Sequence, residues 1–303
     1  MQYHLSMKYS TPWMLLMQLD HGFLITDKPK GISSRRLVNQ ISRETSLKVG
    51  HTGTLDPLAS GMMVLSIGDA TRFSQYIVSK DKAYKAVIKL GEATDTDDAE
   101  GSVIHQSSVK VSQDAFEKVL AKFNGEIAQY PPKHSAIHID GKRAYKLARQ
   151  AIEFDMPIRY VYVHEIKLES FDESKQEATI YTHVSSGTYI RSLARDIGEA
   201  LSSHGHLTEL QRLWVSPFQD HLDTFISLSD YFKHHHHFET LKLDHSQAQD
   251  IINGKKIEVS TTHNEPIAIF YHNEFLGLIQ KSPDTSLASI IKLRSNPHAW
   301  INQ

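Results

Sequence analysis

The run Gly50-His51-Thr52-Gly53-Thr54-Leu55-Asp56-Pro57-Leu58-Ala59-Ser60-Gly61 forces the chain through a loop of small, turn-forming residues and places one carboxylate in its middle. Gly50, Gly53 and Gly61 permit backbone conformations and close approaches that a side chain would block, and Pro57 pushes Asp56 toward an extended conformation. The carboxylate is therefore held. No second Asp or Glu lies between Ser46 and Gly68, so paired-carboxylate acid and base chemistry is not written here. Taken by composition alone, such a cluster is also what an ordinary surface turn looks like.

Around this loop the chain alternates between two periods. His21 to Thr26 reads as a short strand, and Ser33 or Ser34 caps a helix that turns Leu37, Val38 and Ile41 to one side. Met62 to Ile67 is short enough for a buried strand, and Ala70 to Ser79 carries Phe73, Tyr76 and Ile77 at helical spacing. From Tyr84 the alternation Tyr84, Ala86, Ile88, Leu90 has the period of two of a half-buried strand. Ser112 caps a helix through Phe123, strands surround Ile158 to Phe171 and Ala178 to Val184, and a helix between Ser186 and Ser203 sets Arg191 and Arg195 one turn apart. Sheet and helix mix without a βαβ rhythm, which predicts an α+β catalytic domain. From Leu241 a short helix ending at Gly254 and strands Pro266 to Tyr271 and Phe275 to Ile279 predict a second, small, β-rich domain.

Charge narrows the function classes. The 303 residues hold 33 Lys and Arg against 35 Asp and Glu, a net charge of -2 that argues against a general polyanion binder. The distribution is uneven: Lys133, Lys142, Arg143, Lys146 and Arg149 cluster around Gly141, whereas Glu92 to Glu100 carries five acids and no base. The absence of cysteine excludes disulfides, thiolate nucleophiles and cysteine-ligated zinc. Asp95 to Gly101 does not make a calcium loop, because Ala99 and Glu100 stand where a ligand and a glycine are needed. The His234 to His237 run lacks a carboxylate at helical spacing and predicts no metal. The apolar run Trp13 to Met17 is too short for a membrane span and has no signal-peptide flank, so a cytoplasmic protein is expected.

The loop closely resembles the G-H-T-G-x-L-D-P-x-A-[ST]-G motif of the TruB family of tRNA pseudouridine synthases, with every fixed position filled. Three further motifs follow the family order. Lys28-Pro29-Lys30-Gly31-Ile32-Ser33-Ser34 resembles K-P-x-G-x-[ST]-S, Lys82-Ala83-Tyr84 resembles K-x-Y, and Gly187-Thr188-Tyr189-Ile190-Arg191 resembles G-T-Y-[IV]-R. Leu210-Gln211-Arg212 corresponds to an L-x-R element. The resemblance implies a pseudouridine synthase-type mixed-sheet catalytic domain over residues 20–240, with an RNA-gripping insertion at about 125–155. It also implies a PUA-like RNA-binding domain over 241–303, carried by Gln247-Ala248-Gln249…Gly254 and Phe275-Leu276-Gly277, while residues 1–19 form an N-terminal extension.

The same resemblance implies an isomerase that converts the uridine at position 55 in the T-loop of tRNA to pseudouridine without cofactor or metal. Asp56 would be the catalytic carboxylate, Arg191 its ion-pair partner, and Tyr84 the ring that stacks on a base removed from its own stack. His51 would enter the RNA loop as the nucleotide leaves it, while Tyr189, Leu210 and Arg212 would line the pocket. Lys28, Lys142 and Arg143 would meet RNA phosphates. The expected partner is the T-arm of tRNA, with no membrane, and the expected state is a monomer. A non-catalytic tRNA-folding chaperone would have no need of Asp56 with Tyr84 and Arg191. A guide-RNA-dependent synthase of the box H/ACA type shares the T-L-D-P core, but the stretch from Tyr130 to Tyr145 resembles the bacterial-type insertion that grips tRNA directly.

Overall fold

In the computed structural model the described residues are 3–4, 21–77, 81–135, 137–150, 152–234, 238–261 and 265–301. The expected N-terminal extension thus lies almost wholly outside them, as do three residues of the histidine run. A mixed sheet forms the centre. Its strands are β1 (Gly22–Lys28), β2 (Val49–His51), β3 (Ser60–Ile67), β4 (Asp81–Leu90), β5 (Gly125–Gln129), β6 (Arg159–Asp172), β7 (Glu177–Ser185), β8 (Gly205–Val215) and β9 (Thr224–Ser227). They lie in the order β9-β1-β3-β8-β4-β7-β6-β5, with β2 also on β3 and Tyr3–His4 beside β9. All pairings are antiparallel except β8 with β3. This is the mixed α+β sheet that the two interleaved periods predict.

Helices α1 (Ser34–Thr45), α2 (Ala70–Ile77), α3 (Gln113–Leu120), α4 (Ala144–Arg149), α5 (Ile190–Ala200) and α6 (Leu228–His234) connect these strands. One core joins α1, α3 and α5 to the sheet: Leu37, Val38, Ile41, Phe116, Leu193 and Ile197 pack with Tyr84, Ala86 and Ile88. Each such side chain contributes on the order of 1.5–3 kcal/mol by leaving water. Ser33 is the cap of α1, accepting from the Arg36 N–H at 3.2 Å, which releases Ser34 for another task.

The expected insertion at about 125–155 opens instead with β5, the sheet edge paired with β6, because Ile127 and Gln129 have a sheet face to join. The excursion proper begins at Tyr130. It carries a hairpin, His138–Ile139 against Lys142–Arg143, turned by Asp140 (φ 47°) and Gly141 (φ 78°). Among the described residues no helix is long and apolar enough to cross a membrane.

The second sheet starts at Glu239, just ahead of the boundary expected at Leu241. Strands β10 (Glu239–Lys242), β11 (Ile257–Glu258), β12 (Ile267–Tyr271), β13 (Glu274–Lys281) and β14 (Leu287–Leu293) run in the order β10-β12-β13-β14-β11. Helix α7 (His245–Ile252) begins with a reciprocal Asp244–Gln247 capping box, and α8 (Pro297–Ile301) closes the described chain. This small sheet packs firmly on the large one. Phe275 stacks on Phe232 with centroids 4.0 Å apart and meets the edge of Phe73 at 5.1 Å. Buried Arg294 reaches Asp69 at 3.3 Å, and Ser295 N–H donates to the same carboxylate. Burial pushes Asp69 up, but the Ser295 bonds, His21 and Arg294 outweigh it and hold the carboxyl below its ordinary value.

Candidate active site

The Asp56 loop is clamped from two sides. Ser34 Oγ donates to Leu55 O at 2.6 Å and accepts from Leu55 N–H at 2.8 Å, so one buried hydroxyl satisfies both backbone groups of the residue before Asp56. Gly31 N–H donates to Pro57 O at 2.8 Å. From the other side, buried Arg212 donates to Met62 O at 2.7 Å, Thr54 O at 3.4 Å and Gly53 O at 3.3 Å. Gly61 (φ 105°) is needed here, since a Cβ would stand 2.2 Å from Arg212 O. These bonds engage two of the expected site residues. Arg212 is buried and holds the loop from beneath. Lys28 is fully buried, with Nζ donating to Pro29 O at 3.0 Å and Ile32 O at 2.8 Å. Lys30, whose side chain is more than half exposed, is the cation of that motif that solvent reaches.

So held, Asp56 presents a carboxylate that is 43% exposed, and Arg191 Nε meets its Oδ2 at 3.0 Å. Arg191 itself is buried. It sits in the first turn of α5, and its other donors reach Thr96 O at 3.1 Å, His134 O at 3.2 Å and Asp98 Oδ2 at 3.4 Å. Such a guanidinium has no freedom left, and of its two carboxylate partners Asp56 is the one that faces solvent. Arg195, one turn on, bonds Asp97 and Asp196, both at 2.8 Å, and Tyr130 O at 2.9 Å.

The acidic run at 92–100 is thus the counter-charge of α5. Asp98 and Asp97 were not singled out as site residues, although the run of acids and the two arginines were both visible. Nothing local in the sequence joins residues about a hundred positions apart. Burial, with Asp98 and Asp56 nearby, pushes the Glu100 carboxyl up. Burial pulls the Lys28 ammonium down, and Asp56 is the largest charge opposing that shift.

The remaining predicted residues take distinct positions. Tyr84 and Leu210 are nearly covered, packed in the same core as Leu55 and Leu58 on either side of Asp56. Tyr189 precedes α5, its backbone N–H and C=O clasped by the Gln129 side chain at 3.1 and 3.2 Å. His51, at the end of β2, is exposed. Loss of water on its inner side, with Arg212 and Arg35 nearby, holds its imidazole below the ordinary value. Lys82 lies against the loop, within 3.8 Å of the position a Gly53 Cβ would take, and burial with Arg212 beside it pulls its ammonium down to about 8. Lys142 and Arg143 stand exposed on the hairpin, outside the Asp56 cluster.

A single carboxylate in a rigid loop that leads into the central strand β3, paired with a helix-borne arginine, defines a lone-aspartate site on a pseudouridine synthase-type fold. The chain in the structure titled "Structure of H/ACA RNP bound to a substrate RNA containing 2'-deoxyuridine" superimposes with a TM-score of 0.66 at 20% identity, covering 99% of this chain and 96% of that one. At that identity the likeness is one of fold. The model described as "TruB family pseudouridylate synthase (N terminal domain)" matches residues 36–190, and "tRNA pseudouridylate synthase B C-terminal domain" matches 191–246. The tRNA pseudouridine synthase B of Azoarcus sp. (strain BH72) is 35% identical over 286 residues, covering 85% of this chain and 90% of that protein. That of Aquifex aeolicus (strain VF5) is 36% identical over 272 residues, covering 85% and 94%. The chain belongs to the TruB family of pseudouridylate synthases.

Proposed function

We propose that this protein isomerises the uridine at position 55 in the T-loop of tRNA to pseudouridine, with Asp56 as the catalytic carboxylate. The observation that carries the reading is the 3.0 Å pair between exposed Asp56 and buried, fully engaged Arg191. The arginine fixes the direction of the carboxylate without covering it, as a group that must meet a flipped-out nucleotide requires. The uracil leaves the ribose, turns, and rejoins through carbon 5, so that the proton at its 5-position is released while the freed ring nitrogen takes one up and the composition is unchanged. Asp56 acts as a nucleophile on sugar or base, or removes a ribose proton.

Tyr84 supplies the π-face that replaces base stacking, Leu210 and Tyr189 bound the pocket, and His51 enters the space the nucleotide leaves. Lys142 and Arg143 grip phosphates of the T-arm. Residues 20–240 make up the catalytic unit, and residues 241–303 are a PUA-like module that adds RNA contact. The protein works as a cytoplasmic monomer on free tRNA. Relatives named tRNA pseudouridine synthase B at 35–42% identity support this over a guide-dependent enzyme, for which the likeness is of fold alone.

The test is Asp56→Asn, which keeps shape and removes charge and nearly all nucleophilicity. Tritium release from uracil-5-labelled unmodified tRNA should fall below detection while the same RNA still binds. Substantial release by the Asn variant would remove Asp56 from the chemistry.

A further inference from the structure

On the sheet face opposite Tyr84, three adjacent strands bring Asp81, His164 and His183 together. Asp81 opens β4, and its side chain shares a face with Ala83 because neighbouring strand residues alternate. His183 on β7 lies directly across from Ala83. His164 owes its place to an irregularity: Val163 pairs with Val184 and Glu165 with His183, so His164 is the extra residue of a bulge in β6. A bulge re-aims a side chain. Here it brings the His164 ring to 4.4 Å from the His183 ring, centroid to centroid.

One ligand atom from each of the three residues lies within 4.8 Å of the others. His164 Nε2 is 3.5 Å from Asp81 Oδ1, and His183 Nε2 is 3.9 Å from Asp81 Oδ2. Both are wider than good hydrogen bonds, at about 2.7–3.2 Å, yet close to the roughly 3.3 Å between ligand atoms held about 2.0–2.1 Å from a tetrahedral ion. His183 Nε2 is buried without a hydrogen-bond partner. Trp214, edge-on at 4.8 Å from His183, and Tyr162, 4.9 Å from His164, wall the group, while the three side chains remain open to solvent by about a third.

We propose that Asp81, His164 and His183 form a site for a divalent transition-metal ion of the zinc class, with three protein ligands and a fourth position open to solvent. Two imidazoles and one carboxylate suit zinc better than magnesium or calcium, which take oxygen ligands. The ion ties β4, β6 and β7 together across the bulge. It lies on the sheet face opposite Tyr84 and takes no part in the isomerisation. No sequence spacing announces it, and the sequence predicts no metal, because its ligands meet only through strand register.

The test uses the full chain, stripped with a chelator and titrated with cobalt(II). One equivalent should bind at micromolar concentration with the visible absorption of a low-coordinate nitrogen and oxygen site, be displaced by zinc, and raise the melting temperature. His164→Gln and His183→Gln should each weaken binding at least tenfold and abolish the absorption. Replacing the His234 to His237 run with glutamine should leave both intact. Should His183→Gln fail to fold, His164→Gln and Asp81→Asn at partly exposed side chains carry the same comparison. Absorption that survives these substitutions, absorption lost only with the histidine run, or no stoichiometric binding would each overturn the site.

Discussion

Arg191 and the Lys142–Arg143 hairpin are both cationic elements near the proposed RNA path, and they are built in opposite ways. Arg191 is buried, with its donors on Asp56, Asp98, Thr96 and His134. Lys142 and Arg143 stand exposed at a two-residue turn. A charge that must aim one carboxylate gains from immobility, since a misplacement of about 1 Å can cost a hundredfold in rate. A charge that meets a phosphate acts by counterion release, for which exposure suffices. The two regions are joined at the root of the excursion: Tyr130 O accepts from both Ser192 and Arg195, and His134 O accepts from Arg191. Helix α5 therefore holds the Asp56 carboxylate and the base of the basic excursion at once.

The contrast breaks most visibly at Arg191. Arg191→Met leaves Asp98 buried without its cation and should cost about 3 kcal/mol. That is the low end for a broken buried pair, because Thr96 Oγ1 and Glu100 N–H still serve the carboxylate. Adding Asp98→Asn should restore most of the stability but not the turnover, as Asp56 remains unaimed. Chemical denaturation alongside tritium release measures both, and turnover recovered in the double variant would refute the positioning role. Neutralising Lys142 and Arg143 together should leave single-turnover rates at saturating tRNA near those of the parent. The slope of log binding against log salt should fall by about one to two units. An unchanged slope would put the phosphate contacts elsewhere.

A third effect, on stability alone, concerns Lys82. Its ammonium is pulled down to about 8, mainly by burial and then by Arg212, against about 10.4 in the unfolded chain. Between those values the unfolded chain binds the extra proton, so parent stability rises with pH. Relative to Lys82→Met, the parent should gain stability as pH goes from 7.5 to 10. A constant difference in denaturation midpoint across that range would mean that the lysine is not held in a costly charged state.

Much of the fold was legible because local burial leaves a period. The strand from Tyr84, the stripe of Phe116 and Leu120, and the α7 helix ending before Gly254 followed from alternation, helical spacing and caps. So did the break between the strands ending at Tyr271 and starting at Phe275, where His272 and Asn273 turn the chain at positive φ. The Asp56 loop and its arginine were legible as motifs. The fates of Lys28 and Arg212 were not. Both read as cations available to RNA, and both are spent on backbone carbonyls around the loop. A motif records residue type, and whether a cation faces solvent or a carbonyl depends on what packs above it.

By itself, then, the sequence determined where the chain turns, which faces are apolar, and which carboxylate stands alone. The tertiary structure decided which charges meet. Strand register set Arg212 against β3 and gathered Asp81, His164 and His183 from three strands, while a backbone bridge to Leu207 delivered Asp97 and Asp98 to α5. Periodicity encodes each residue's relation to its neighbours in the chain, whereas a charge pair across a hundred residues exists only once the sheet has fixed every strand's offset.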